Sequence, residues 1–227
     1  PESHRRACPN GDEMRAQDFI VIGLTGSIGM GKSTAGAIFQ TLGVSVFDSD
    51  DCIRRVMGPR GKAVKDVVAH FPDVWDHAKK RIDRNELANI VFSDPDERKR
   101  LEAVLHPYVW EEQDRFKKQM RRNGRKMVVL DIPLLFETGA DERVDVTVVI
   151  SAPPYIQYQR VMARPDMTEE KFFNILESQM PDHHKRLMAD YVVPSGLGRG
   201  VTTRKIKQIV HDLRLSLEPE PLYPVES

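Results

Sequence analysis

Residues Gly26-Ser27-Ile28-Gly29-Met30-Gly31-Lys32-Ser33 fit the pattern G-x-x-x-x-G-K-S/T, a loop that cradles phosphate groups. The spacing follows from the chemistry. Glycines let the backbone curl so that successive N–H groups point inward at phosphate oxygens, and Lys32 adds a point charge near the β- and γ-phosphates. The Ser33 hydroxyl can ligate Mg²⁺, a hard cation that takes oxygen ligands and stays close to the phosphates. Gly26, Ser27, Ile28, Gly29, Met30, Gly31, Lys32, Ser33 and Thr34 are therefore the candidate nucleotide-binding residues, and the expected ligand is a nucleoside triphosphate.

Such a loop names a superfamily and not a reaction. GTPase switches, motor ATPases and small-molecule kinases all carry one. No Asn/Thr-Lys-x-Asp segment for reading guanine occurs, which counts against a switch. Carboxylates point instead to phosphoryl transfer, where the acceptor hydroxyl needs a positioned base to take its proton. Asp48 and Asp50 follow an apolar segment, and period-two spacing predicts both on one side of an extended chain. Asp50 is the candidate base, while Asp51 reads as the cap of the helix that follows.

These residues need elements to hold them, and the pattern supplies strands and helices in alternation. Phe19-Ile20-Val21-Ile22-Gly23-Leu24 reads as a buried parallel strand directly before the loop. Ala35, Ile38, Phe39 and Leu42 then fall at helical spacing, with Gly43 as the stop. Strand, glycine loop and helix is the order that an anion site requires, since the helix N-terminus adds its own attraction. Further strands are expected over 44–47, 126–130, 145–150 and 191–193, the first running into Asp48-Ser49-Asp50-Asp51 and the second into Asp131. The alternation predicts an α/β fold with helices on both faces of a parallel sheet. Ligands in such sheets sit beyond the carboxyl ends of the strands, which makes the residues just after each strand the first suspects.

Residues 52–124 behave differently, with helical patterning and no convincing strand, and read as a helical insertion in a core of 19–51 and 125–217. Asp94-Pro95-Asp96-Glu97 predicts an N-cap, a proline at the first helical position and a capping acid. Pro107, beside His106, is expected to interrupt the apolar face that Leu101, Val104, Leu105 and Tyr108 continue. Residues 1–18 read as a flexible leader and 218–227 as a loose tail.

Composition bounds the partners. Lys plus Arg and Asp plus Glu are equal at 34 each over 227 residues, so no global basic field argues for nucleic acid or an anionic membrane. No apolar run has transmembrane length. Cys8 and Cys52 make neither a disulfide framework nor a metal-site spacing. A cytoplasmic protein without an obligate protein partner is the expectation.

Taken together, the segments resemble the dephospho-CoA kinases, from Phe19 to about Leu213. The P-loop from Gly23 to Ser33 matches that family's version of the motif. Val46-Phe47-Asp48-Ser49-Asp50 is similar to its hydrophobic-Asp-Ala-Asp segment, with Ser49 in place of alanine. His106-Pro107 and Pro133-Leu134-Leu135-Phe136-Glu137 match two further segments, and Gln157-x-x-Arg160-x-x-x-Arg164 resembles the lid motif. Gln179 and Ala189-Asp190-Tyr191-Val192-Val193 follow in order, after which Pro194-Ser195-Gly196 departs from the usual Asp/Asn, Asn/Ser and Gly.

The resemblance implies a three-layer P-loop kinase with a helical acceptor-binding insertion and a helical lid at about 152–180. It implies transfer of the ATP γ-phosphate to the ribose 3′-hydroxyl of dephospho-CoA, with Mg²⁺ as companion ion. Asp50 would be the base, Lys32 and Ser33 would hold the phosphates, and Asp48 and His106 would meet the acceptor. Asp131 stands where a Walker B carboxylate would serve Mg²⁺, although the family often has an apolar residue there. Arg160 and Arg164, four apart, are expected on one helix face as lid arginines that close over the phosphates. The rival readings are a nucleoside monophosphate-type kinase and a non-catalytic ATP-binding regulator on the same fold.

Overall fold

The computed structural model describes residues 19–217. The elements in chain order are β1 (Ile20–Thr25), α1 (Lys32–Thr41), β2 (Ser45–Asp48), α2 (Ser49–Val56), α3 (Val64–His70), β3 (Trp75–Asp76), β4 (Arg81–Ile82), α4 (Arg84–Ser93) and α5 (Pro95–Arg122). They continue with β5 (Met127–Asp131), β6 (Val146–Ser151), α6 (Pro154–Met162), α7 (Glu169–Glu177), α8 (Asp182–Met188), β7 (Tyr191–Pro194) and α9 (Arg199–Leu215). The leader 1–18 and the tail 218–227 lie outside the described residues. Two compact units emerge among the described residues: one takes 19–46 and 120–217, the other is Phe47–Gln119.

The first unit is built on a five-stranded sheet in the order β2-β5-β1-β6-β7. β5, β1, β6 and β7 pair in parallel, with Leu24 opposite Asp131 and Thr25 opposite Val149. β1 is buried along its whole length, as a central strand covered on both faces must be. Alternate residues of the strands, Ile20, Ile22, Leu24, Val129, Val148 and Ile150, pack with Ala35, Ile38 and Phe39 of α1 and Ile206, Ile209 and Val210 of α9. On the opposite face Val149 packs with Leu135 and Phe136, against which Val144, Met180 and Ala189 lie. Burying a side chain such as Ile22 or Phe39 contributes about 1.5–3 kcal/mol, and it is this two-faced packing that holds the strand ends in place.

The strands run one residue further than the apolar pattern predicts. β1, β2, β5, β6 and β7 end on Thr25, Asp48, Asp131, Ser151 and Pro194. A hydrogen-bond ladder is indifferent to side-chain polarity, so the last rung of each strand carries a residue that the apolar run excludes.

The edge strand β7 is kept in register by a carboxylate. Asp190 Oδ2 accepts both the backbone N–H and the hydroxyl of Thr147, each at 2.7 Å, and Thr147 Oγ1 accepts the Asp190 N–H at 2.9 Å. The next rung, Val148 opposite Tyr191, follows directly.

The second unit is mostly helical, but the expectation of no strand fails. Trp75–Asp76 and Arg81–Ile82 form a small antiparallel pair, too short to give a periodic signal. Asp94 accepts the N–H of Asp96 at 2.8 Å at the start of α5, the capping that Asp94-Pro95-Asp96-Glu97 announces. Pro107 lies inside a continuous helix of 28 residues and does not divide it. Its missing donor costs one bond, which the packing of Leu105, Val109 and Gln113 outweighs.

Replacing Asp190 by Ala strands the buried Thr147 N–H and should lower stability by about 1–2 kcal/mol. Asp190→Asn keeps an acceptor and should lose less. Urea denaturation of the three proteins decides it, and an Ala variant with the parent's midpoint would mean that the register is set elsewhere.

Candidate active site

The P-loop links the end of β1 to the start of α1, and its shape is set from outside. Thr25, fully buried, donates its hydroxyl to the Pro133 carbonyl at 2.9 Å, fixing the exit from β1. Gly26 lies so close to β6 that a Cβ there would be 2.6 Å from the Ile150 carbonyl oxygen. Gly29, at φ +76°, occupies the left-handed region, and a Cβ on it would meet Val161 Cγ2 at 2.5 Å. Between them the main chain at Ile28 is gripped twice: its N–H donates to Gln179 Oε1 at 3.0 Å, and its carbonyl accepts from Gln157 Nε2 at 2.8 Å.

Helix α1 begins at Lys32 after Gly31, with no side-chain cap and no acidic residue in its first turn. Its first N–H groups are thus left for an anion, and the helix dipole favours one there. Ser33 and Thr34 are exposed in that turn. Lys32 Nζ lies 2.8 Å from Asp131 Oδ1, a pair in which both side chains are mostly buried. The ammonium of the loop and the carboxylate at the end of β5 therefore form one group.

Arg160, on α6, is fixed against the loop. Its guanidinium donates to the Ser195 carbonyl at 2.7 Å, to Ser195 Oγ at 3.0 Å and to the Gly29 carbonyl at 3.4 Å. Ser195 Oγ in turn donates to the Met30 carbonyl at 2.5 Å. The expectation of two arginines on one helix face is corrected here. Helix α6 ends at Met162 with Ala163 as its C-cap, so Arg164 lies in the following turn and is exposed. The segment Arg164-Pro165 explains the stop, since a residue before proline disfavours the helical region.

The same region links α6 to α7. The Tyr158 hydroxyl donates to the Glu169 carboxylate, and its ring meets Phe172 edge-on. That carboxylate holds the phenol above its ordinary pKa. A recess of about 810 Å³ adjoins the P-loop, walled by Met30, Pro153, Gln157, Gly196 and Leu197.

In the second unit the roles of the three aspartates differ from the sequence expectation. β2 ends at Asp48, and Asp50 already belongs to α2, so the two are not on one side of an extended chain. The helix cap is Asp48, whose Oδ1 accepts the Asp51 N–H at 2.8 Å. Asp51 pairs instead with Arg55 at 2.6 Å and Arg54 at 3.3 Å. The helix starts earlier than the pattern suggests because Ser49 is pulled inward: it is buried, and its Oγ accepts from Gln113 Nε2 at 3.4 Å. Asp50 is exposed in the first turn of α2. His106 is half-buried on α5, stacked on Trp110 with ring centroids 5.6 Å apart. Cys52 is buried, which pushes its thiol pKa up.

The structure thus gathers Gly26 to Thr34, Asp131 and Arg160 in the first unit, and holds Asp48, Asp50 and His106 in the second. Thr25 and Ser195 escaped the sequence reading as site residues, and Gln157 and Gln179 entered it only as motif members. Nothing in a sequence says which peptide of a loop a glutamine two helices away will grip.

With this geometry in view, comparison with known proteins is specific. The family model described as dephospho-CoA kinase matches residues 20–197. A dephospho-CoA kinase of Brucella melitensis is 44% identical over 195 residues, covering 86% of this chain and 96% of the relative. A dephospho-CoA kinase of Rhizobium etli is 46% identical over 199 residues, covering 88% and 96%. Among solved structures, a Thermus thermophilus protein superposes with a TM-score of 0.74 at 35% identity, covering 86% of this chain and 98% of that one. The dephospho-CoA kinase of Campylobacter jejuni shares the fold, with a TM-score of 0.63 at 23% identity over 85% and 96%. A P-loop of this form, matched along the chain from β1 past β7, means that the protein belongs to the dephospho-CoA kinase family.

Proposed function

We propose that the chain transfers the γ-phosphoryl group of ATP to the ribose 3′-hydroxyl of dephospho-CoA, giving coenzyme A and ADP. The observation that carries this reading is the uncapped N-terminus of α1 with Lys32 beside it, in a chain of this family. The backbone N–H groups of the loop and of α1 take the β- and γ-phosphates, and Lys32 sets a positive charge where negative charge develops. Asp50 accepts the proton of the 3′-hydroxyl as its oxygen bonds to the γ-phosphorus. The bond from that phosphorus to the β–γ bridging oxygen breaks, and its electron pair leaves with ADP. Asp50 suits this task because it is exposed, free of the capping that occupies Asp48 and of the pairing that occupies Asp51.

Mg²⁺ bound with the phosphates would neutralise charge on their oxygens. The Ser33 hydroxyl at the start of α1 and the Asp131 carboxylate beside Lys32 are oxygen donors of the kind it takes, and we assign its protein contacts to them. Arg160 keeps its guanidinium on the Gly29 and Ser195 carbonyls, which aligns it toward the loop. Arg164, beyond the helix, reaches the phosphates only when the segment of about 152–180 closes as a lid and excludes water. We assign the adenine to the recess beside Leu197 and Pro153, and the acceptor's pantetheine arm and adenosine to the insertion of about 52–124, with His106 among its contacts. No helix among the described residues is long and apolar enough to cross a membrane, and we place the reaction in the cytoplasm.

ADP release coupled to a reporter, with dephospho-CoA set beside a panel of nucleosides and nucleotides, tests the assignment. Turnover with a nucleoside monophosphate and none with dephospho-CoA would replace it by the rival kinase.

Three variants resolve the roles. Lys32→Ala should lower turnover roughly 10²–10³-fold while the fold persists, as removal of a fixed transition-state charge does. Turnover within about twofold of the parent would contradict the loop's role.

Asp50→Asn should abolish transfer and leave MgATP affinity, measured by calorimetry, near the parent's. Asp48→Asn retains a capping side chain and should stay active. If Asp48→Asn were the dead variant, the base would be Asp48.

Arg160→Lys keeps the charge but not the planar fork that spans two carbonyls, so it should recover only part of the activity lost in Arg160→Ala. Full activity of Arg160→Ala would reduce this arginine to a structural tie.

A further inference from the structure

We infer that the buried Lys185–Glu137 pair is a positioning device for the P-loop and acts through Gln179. Lys185, on α8, is fully buried, and its Nζ lies 2.7 Å from Glu137 Oε1 and 3.5 Å from the Pro133 carbonyl. The same Glu137 oxygen accepts the Met180 N–H at 2.8 Å. Met180 directly follows Gln179, whose Oε1 takes the Ile28 N–H. The Pro133 carbonyl is the acceptor for the Thr25 hydroxyl, one residue before Gly26. A single ammonium group thus joins two anchors of the P-loop, its exit from β1 and its Ile28 peptide.

Stability alone does not account for this pair. A buried ion pair is seldom better than apolar side chains of the same volume, and Leu135 and Phe136 already bring that face an apolar core with Met180 and Ala189 against it. What charge adds is direction. Glu137 Oε1, shared between an ammonium and an amide, fixes the main chain at Met180 and with it the side chain of Gln179. Glu137 Oε2 is buried without a hydrogen-bond partner among the described residues, so the carboxylate's charge is answered through Oε1. The direction of the Ile28 peptide decides how the neighbouring loop N–H groups face the phosphates. Lys185 and Glu137 touch no phosphate in this scheme, and they act by orienting the loop.

The inference rests on ATP as phosphoryl donor, and MgATP titration of the parent by calorimetry keeps the two apart. A parent that does not bind MgATP overturns both readings. With a binding parent, Lys185→Met, Gln179→Leu and their combination are compared by the KM for ATP, the KM for dephospho-CoA and kcat. Each single change should raise the KM for ATP about tenfold, the worth of one hydrogen bond, and leave the KM for dephospho-CoA within about twofold. Because the two residues act in series, the double variant should be no worse than the poorer single by more than about twofold. A folded Lys185→Met with the parent's KM for ATP overturns the proposal, as does an additive loss of about a hundredfold in the double variant. Should Lys185→Met fail to fold, Glu137→Gln takes its place, since it keeps the volume and an acceptor for Met180. It should raise the KM for ATP roughly threefold in the parent and not at all in Gln179→Leu, charge-assisted bonds being about twice as strong as neutral ones. No change in the parent background would overturn the proposal equally.

Discussion

A loop that binds phosphate through its own backbone N–H groups cannot spend those groups on holding its own shape. Inside helices and sheets the N–H groups find carbonyls within the element, whereas the loop donors that meet the phosphates must stay free. The structure commits the Ile28 N–H to Gln179 and the Met30 N–H to the Ser27 carbonyl, and otherwise holds the loop through the Thr25 hydroxyl and the carbonyls of Ile28, Gly29 and Met30. The holding groups come from the α6 and α7–α8 regions and from the ends of β5 and β7. Much of what surrounds the loop in sequence motifs is explained by this need. Pro133 offers a carbonyl, Glu137 holds the segment that carries Gln179, and Gln157 and Arg160 sit three residues apart on one helix face.

The apolar face of the sheet makes that holding rigid. Ile20, Ile22 and Leu24 pack toward α1 and α9, and the residues between them pack the other way, so β1 cannot slide without moving every one of them across the sheet. Parallel pairing then brings Thr25, Asp131 and Ser151, the last residues of adjacent strands, to one edge. This part was legible in the sequence because buried strands and amphipathic helices leave a periodic trace. The same trace misplaced each strand end by one residue, since the polar residue that completes a strand breaks the apolar run. Two of those misplaced residues, Asp48 and Asp131, are among the candidate site residues.

What the pattern could not give is local hydrogen bonding. Asp48-Ser49-Asp50-Asp51 offers several helix starts of equal propensity, and the choice among them depends on Gln113, which buries Ser49. Arg160 and Arg164 have helical spacing, yet the helix ends between them. The proline after Arg164 signals that end, and a motif read as a unit conceals it. The small pair β3 and β4 is held by tertiary packing of a few residues, below the length at which alternation carries information. In each case a partner distant in sequence decides between local alternatives.

The departure at Pro194-Ser195 shows how such a partner can absorb a change of sequence. Proline has no N–H to donate, and it stands here at the end of an edge strand, where the ladder loses least. The next residue restores the ladder, with the Ser195 N–H donating to the Ser151 carbonyl at 2.8 Å. That bond sets the Ser195 side chain, which then meets the Met30 carbonyl and the Arg160 guanidinium together. The register of β7 descends from Asp190 on Thr147, at the far end of the strand from the loop. The position of an arginine beside the phosphate loop is therefore tied to a carboxylate at the opposite end of the same edge strand, and the strand between them transmits the register.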